Sequence, residues 1–148
     1  MKSSDFEYDL HRFQRALVMS AGGCKRAKEH LIQNAVHWQG ISSDELKGNI
    51  SVHVADTGDL ITGEVLGRKF TIDLLPFVDE EKGYIEAVIT TPSLRGSDHT
   101  EAGRFLVAAN GSILTSDKEE LLSWDDDFQS YRLLIAVARR VLGVRPQV

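Results

Sequence analysis

ISVHVADTGDLITGEVLGRKFTIDLL, residues 50–75, is the stretch whose reading sets the fold class. Short runs rich in Val, Ile, Thr and Phe are separated by Gly and Asp, the composition of strands joined by tight turns. The stretch predicts three strands, Ile50 to Ala55, Leu60 to Leu66 and Lys69 to Leu75. Asp56 to Asp59 and Gly67-Arg68 supply the turn residues between them. Connections this short imply antiparallel pairing.

The same pattern continues towards the C-terminus. Asp79-Glu80-Glu81-Lys82-Gly83 forms a charged turn ahead of a strand at Tyr84 to Thr91, with further strands at Arg104 to Ala109 and Ser112 to Thr115. Asn110-Gly111 has the composition of a two-residue type I′ turn, which needs positive φ at both positions. Pro92 to Gly103 carries Pro, two glycines and several polar residues and reads as a long loop.

On the N-terminal side, Phe6, Leu10, Phe13 and Leu17 fall at helical steps of four, three and four. Ser4 and Glu7 have capping-box spacing, which predicts a helix start at Asp5. The stripe resumes at Cys24, Ala27, Leu31, Ala35 and Trp38 beyond Gly22-Gly23. One long helix and a kinked pair are both compatible with two adjacent glycines, which together cost roughly 2 kcal/mol relative to alanine. Gly40 is the predicted stop.

Beyond the strands, Ser116 and Glu119 again show capping-box spacing, and Asp125 to Asp127 place carboxylates at a helix N-terminus. The predicted C-terminal helix carries Phe128, Tyr131, Leu134, Ile135, Ala138, Val141 and Leu142, and ends with Arg139, Arg140 and a C′ Gly143. A frayed tail, Arg145 to Val148, follows.

The expected architecture is therefore α+β. It comprises an N-terminal helix or kinked helix pair, an antiparallel β meander of about five to six strands, and a C-terminal helix packed on the sheet. The 148 residues fit one domain, 1–148. This order of helix, strands and terminal helix resembles in outline the small bacterial secretion chaperones, although no middle helix is predicted where those have one.

Composition bounds the function. Hydrophobic residues at 42% and charged residues at 26% belong to a folded chain rather than a disordered one. A net charge of −5 argues against a nucleic-acid partner, which needs clustered cations. The only cysteine, Cys24, rules out an intramolecular disulfide and suggests a reducing, cytoplasmic setting. The N-terminal residues lack the apolar core of a signal peptide, and no apolar run approaches the roughly 20 residues of a membrane span.

Candidate chemistry is sparse. Asp56-Thr57-Gly58 is the tripeptide of aspartic proteases, but Gly67, in the apolar-Gly element that would follow, comes nine residues after Gly58, too soon for a flap, and a turn explains both. Gly22-Gly23-Cys24-Lys25-Arg26 would offer backbone donors and cations to an anion only if the helix broke there. Cys24 lies near those cations yet on the apolar stripe, where a buried, inert thiol is the simpler reading.

His11, His30, His37, His53 and His99 show no paired four-residue spacing for a metal, and the Asp125 to Asp127 run lacks the alternation of a calcium loop. No cofactor is called for. An acidic stretch over residues 117 to 127 contrasts with a relatively basic first forty residues that include Lys25 and Arg26, an asymmetry suited to steering a protein partner.

Two functional expectations follow. The first is a noncatalytic protein-interaction module of chaperone, immunity or adaptor type, with Lys25 and Arg26 on its contact face; the balance tilts against an enzyme. An edge strand and the apolar stripe running to Trp38 also suit a homodimer. The alternative is a small-molecule pocket protein or enzyme, with its site between the sheet and the first helix and Trp38, His53, Tyr84 and Trp124 as lining candidates. An exposed apolar patch would favour the first expectation, and a deep hollow with converging polar groups the second.

Overall fold

The computed structural model describes residues Met1–Arg145; residues 146–148, most of the tail expected to fray, lie outside the described residues. A 3-10 turn, Ser3–Phe6, precedes the long helix α1, Leu10–Asp44. Seven strands follow in chain order: β1 Ile50–Val54, β2 Leu60–Val65, β3 Arg68–Asp79, β4 Lys82–Pro92, β5 His99–Val107, β6 Ile113–Leu114 and β7 Glu120–Leu122. The chain closes with α2, Gln129–Gly143. All seven strands pair with their sequence neighbours in one antiparallel meander. The α+β class and element order match the sequence reading, with seven strands where five to six were expected.

α1 begins later than its capping-box spacing predicts. Glu7 is extended, and the Asp9 side chain instead accepts the Arg12 N–H at 3.1 Å as the N-cap. The helix also passes unbroken through Gly22-Gly23 and does not stop at Gly40. Ile41 and Ser42, just beyond Gly40, are buried, so packing on the sheet outweighs the glycine's low propensity. The helix ends instead at Asp44, and the chain turns away through Lys47 and Gly48, both with positive φ.

Gly23 has a tertiary reason to be glycine. A β-carbon there would stand 2.8 Å from the carbonyl oxygen of Gly83 on β4, and one on Gly83 would stand 2.7 Å from the amide nitrogen of Cys24. Helix and strand backbones meet at this point with no side chain between them. The contact sets how closely α1 lies on the sheet.

One apolar cluster joins Ala27, Leu31, Ala35, Trp38 and Ile41 of α1 to alternate residues of the sheet, such as Ile61, Phe70, Ile72, Ile85 and Phe105. Leu133, Leu134, Val137 and Val141 of α2 belong to the same cluster. Trp38, fully buried, donates its indole N–H to the Ser130 carbonyl at 2.9 Å and so ties the two helices together. On β2, Gly63 faces Phe70 in register, and the Phe70 ring covers the space a side chain would fill.

Several local expectations change. β3 and β4 form a longer hairpin than predicted, turning at Glu80-Glu81 with positive φ at both. The β2–β3 turn is Leu66-Gly67 rather than Gly67-Arg68, since Val65 pairs with Arg68. At Asn110-Gly111 only the glycine has positive φ, and Gly111 N–H bonds the Ala108 carbonyl at 2.9 Å. This is a type I turn followed by a glycine bulge, not type I′.

The predicted loop from Pro92 to Gly103 shrinks to residues 93–98, because β5 already starts at His99. Ser116 and Glu119 cap no helix. Thr115 N–H bonds the Glu119 carbonyl at 2.8 Å, a reverse turn into β7. α2 starts after Asp126, whose carboxylate accepts the Phe128 N–H at 2.8 Å and pairs with Arg132. Gly143 is the last helical residue, and Val144 beyond it is extended, so no left-handed C′ glycine forms.

Candidate functional site

α1 outruns the sheet. Its buried residues begin at Ser20, whose hydroxyl donates to the Glu81 carbonyl at the tip of the β3–β4 hairpin. The ten residues Leu10 to Met19 lie N-terminal to that contact, an arm roughly 15 Å long at the helical rise per residue. A helix this short would be marginal alone, but here it propagates from the packed turns that follow.

The arm is apolar where it should be polar. Leu10, Phe13 and Leu17 are 51%, 60% and 51% exposed, and Val18 and Met19 are more open still. Leu10, Phe13 and Leu17 occupy the same stripe that, continued through Ser20, Cys24, Ala27 and Leu31, packs on the sheet. The outer half of that stripe has no sheet beneath it.

Where the arm meets the body, Leu17, Ser20, Ala21 and Cys24 of α1 and Leu74, Leu75, Pro76, Val78 and Ile85 of the hairpin line an open groove of about 740 Å³. Its floor is apolar, with Leu75 and Val78 half-exposed, and Lys25, Lys28 and Asp59 stand on its rim. The Thr57 hydroxyl, with a lesser contribution from Lys28, holds the Asp59 carboxyl below the usual range. Arm and groove together form a continuous apolar surface.

The sequence-predicted residues are not gathered into one site. Lys25 borders the groove. Arg26 and Tyr84 share a smaller hollow of about 350 Å³ with Asn110, and the Tyr84 ring lies against Phe77 at 6.1 Å. His53 is exposed on the face of the sheet away from α1, by a hollow formed with Thr62 and Thr71. Trp38 is core, and Trp124, 62% exposed, contributes its backbone N–H to Ser112.

The remaining candidates find ordinary partners. The Cys24 thiol donates to the Tyr84 carbonyl at 3.2 Å. With α1 continuous there is no helix N-terminus at Gly22-Gly23 to hold an anion. His37 meets the Ser130 hydroxyl at 2.9 Å and packs edge-on against Tyr131. Among the described residues no group of three or more His, Cys, Asp or Glu side chains converges as a metal site would require. Across the outer face of the sheet, Arg104 bridges Glu86 and Glu101, whose carboxyl is held below its usual value by that contact.

A second hollow, of about 500 Å³, lies between α2 and the sheet, with Arg139 and Arg140 at its rim and Leu121 and Ile135 along it. Among the described residues no helix is long and apolar enough to cross a membrane. The structure thus defines an α+β protein with a seven-stranded antiparallel meander and a projecting apolar helix. Comparison with protein-family models, curated proteins and solved structures finds no match.

Proposed function

We propose that the chain is a noncatalytic protein-interaction module that engages a protein partner through the α1 arm and the groove at its base, in a reducing, cytoplasmic setting. One observation carries the reading: Leu10, Phe13 and Leu17, on one face of a projecting helix, stand half-exposed or more, and Leu17 leads that face into an apolar groove. Contiguous apolar surface of this kind marks interaction sites, whereas scattered surface leucines do not. The net charge of −5 and dispersed cations weigh against nucleic acid as the partner.

A small apolar ligand in the same groove is the second reading, favoured by a volume within the range of roughly 300–1,000 Å³ typical of ligand sites. The groove's openness and its few polar groups, Ser20, Lys25, Lys28 and Asp59, support the protein partner instead.

The test is affinity capture with wild type and with a Phe13→Glu/Leu17→Glu variant, the captured proteins being quantified by mass spectrometry. The proposal expects bound protein, including any co-purifying second copy of the chain, to fall at least about tenfold in the variant. Undiminished capture would move the interface off the arm. Thermal stabilisation of wild type by a small-molecule library, with no protein captured, would favour the ligand reading.

A further inference from the structure

We infer that the occupant of the arm and groove is a second copy of this chain, the two α1 arms lying antiparallel about a two-fold axis so that each enters the other's groove. This rests on the reading of the arm as a docking surface and names its partner. The chain carries both halves of the contact: a projecting apolar helix and, at its base, an apolar groove. A two-fold contact needs that self-complementarity.

The spacing of the stripe fixes a register. Leu10, Phe13 and Leu17 recur at steps of three and four, the seam of an antiparallel helix pair, before Ser20 and Cys24 carry the stripe onto the hairpin. Setting Phe13 against the partner's Leu17 brings Leu10 level with the partner's Ser20, at the edge of its groove. Ser20 and Cys24 both line the groove. The first apolar residues of one copy therefore reach the hollow of the other.

Charge agrees with the same register. Asp5 and Glu7 lead into the arm, while Lys25 and Lys28 stand on the groove rim. Within one copy the start of α1 at Leu10 already stands roughly 22 Å along the helix from Lys25. Between antiparallel copies the acidic segment ahead of Leu10, with Asp5 and Glu7, lies toward the partner's rim lysines, Lys25 and Lys28, so that opposite charges face one another. Leu10, Phe13 and Leu17 with Leu75 and Val78 of the groove, joined by Phe6 ahead of the helix, leave on the order of 600 Å² open per copy, at the lower end of the per-partner area of specific interfaces.

The test is sedimentation equilibrium of the purified chain between about 1 and 100 µM, with charge reversals in trans. The inference expects a reversible dimer, a monomer for Phe13→Glu/Leu17→Glu, and a dimer Kd raised at least about tenfold by Asp5→Lys/Glu7→Lys or by Lys25→Glu/Lys28→Glu alone. Combining both reversals in one chain should restore the Kd to within about threefold of wild type. All these residues lie outside the core, and retained far-UV circular dichroism will show that each variant folds.

A wild-type monomer at 100 µM, or a dimer indifferent to every substitution, overturns the inference. The docking reading is scored separately. If the wild type is monomeric yet Phe13→Glu/Leu17→Glu abolishes capture of another protein, the arm is a docking surface with a different occupant. If neither dimerisation nor capture depends on the arm, both fail.

Discussion

Gly23 of α1 and Gly83 of β4 touch backbone to backbone: a β-carbon on Gly23 would stand 2.8 Å from the Gly83 carbonyl oxygen. The contact explains how a helix with two adjacent glycines stays continuous and where it leaves the sheet. Gly83→Ala, forced against the α1 backbone at Cys24, is expected to cost about 3 kcal/mol or more, and Gly23→Ala somewhat less. Gly22 meets only the flexible Arg26 side chain, so Gly22→Ala is expected to gain about 0.5–1 kcal/mol from helix propensity. Urea denaturation followed by circular dichroism ranks the three, and equal effects at Gly22 and Gly83 would remove the close-contact explanation.

The β3–β4 hairpin turns through Glu80 and Glu81, both left-handed at φ 49° and 63°. Non-glycine residues there are strained, and Asn-Gly suits such a turn best. Glu80→Asn/Glu81→Gly is expected to stabilise by about 1 kcal/mol, read as a raised denaturation midpoint at unchanged m-value.

Trp38 joins the helices through its indole bond to Ser130, inside a core with no room to rearrange cheaply. Trp38→Phe is expected to lose about 2–4 kcal/mol, combining an unfilled space with an unpaired carbonyl. A loss below about 1 kcal/mol would mean that the residue is not the tie described here.

The start of α2 titrates. The Phe128 N–H, and to a lesser extent the Arg132 guanidinium, hold the Asp126 carboxyl below its usual range. Its folded-state pKa is lower than its unfolded one, so its stabilisation is fully present above pH ~4 and is lost as pH falls through the folded value. Asp126→Ala is expected to have a lower melting temperature than wild type at pH 7, with the gap closing towards pH ~2. A gap independent of pH would exclude the carboxylate as its cause.

Much of this was legible in residues 50–75, where β-branched runs and glycine turns specify the first three strands. What stayed hidden has physical reasons. β5 extends back to His99 by backbone pairing with β4 through polar residues, and the bulge at Ala102 breaks their alternation. β7 has three residues, too few for any period to show. Gly40 looked like a stop because propensity is local, whereas the burial of Ile41 is not.

The candidate site was only half visible. Phe6, Leu10, Phe13 and Leu17 were read as a stripe, and a stripe is identical in sequence whether or not something covers it. The difference lies in where the sheet ends, which the Gly23–Gly83 contact fixes. Lys25 borders the groove, but Trp38, His53, Tyr84 and Trp124 were singled out by residue type and are scattered by the fold.

An unpartnered arm should fray quickly, and a docked one should not. Hydrogen exchange read by mass spectrometry, on the pure chain from about 1 to 100 µM, therefore tests the central claim most directly. The account predicts that protection of residues 10–19 and of the hairpin residues 74–81 rises with concentration while the remaining core stays constant. Exchange in the arm that is equally fast at every concentration would contradict it.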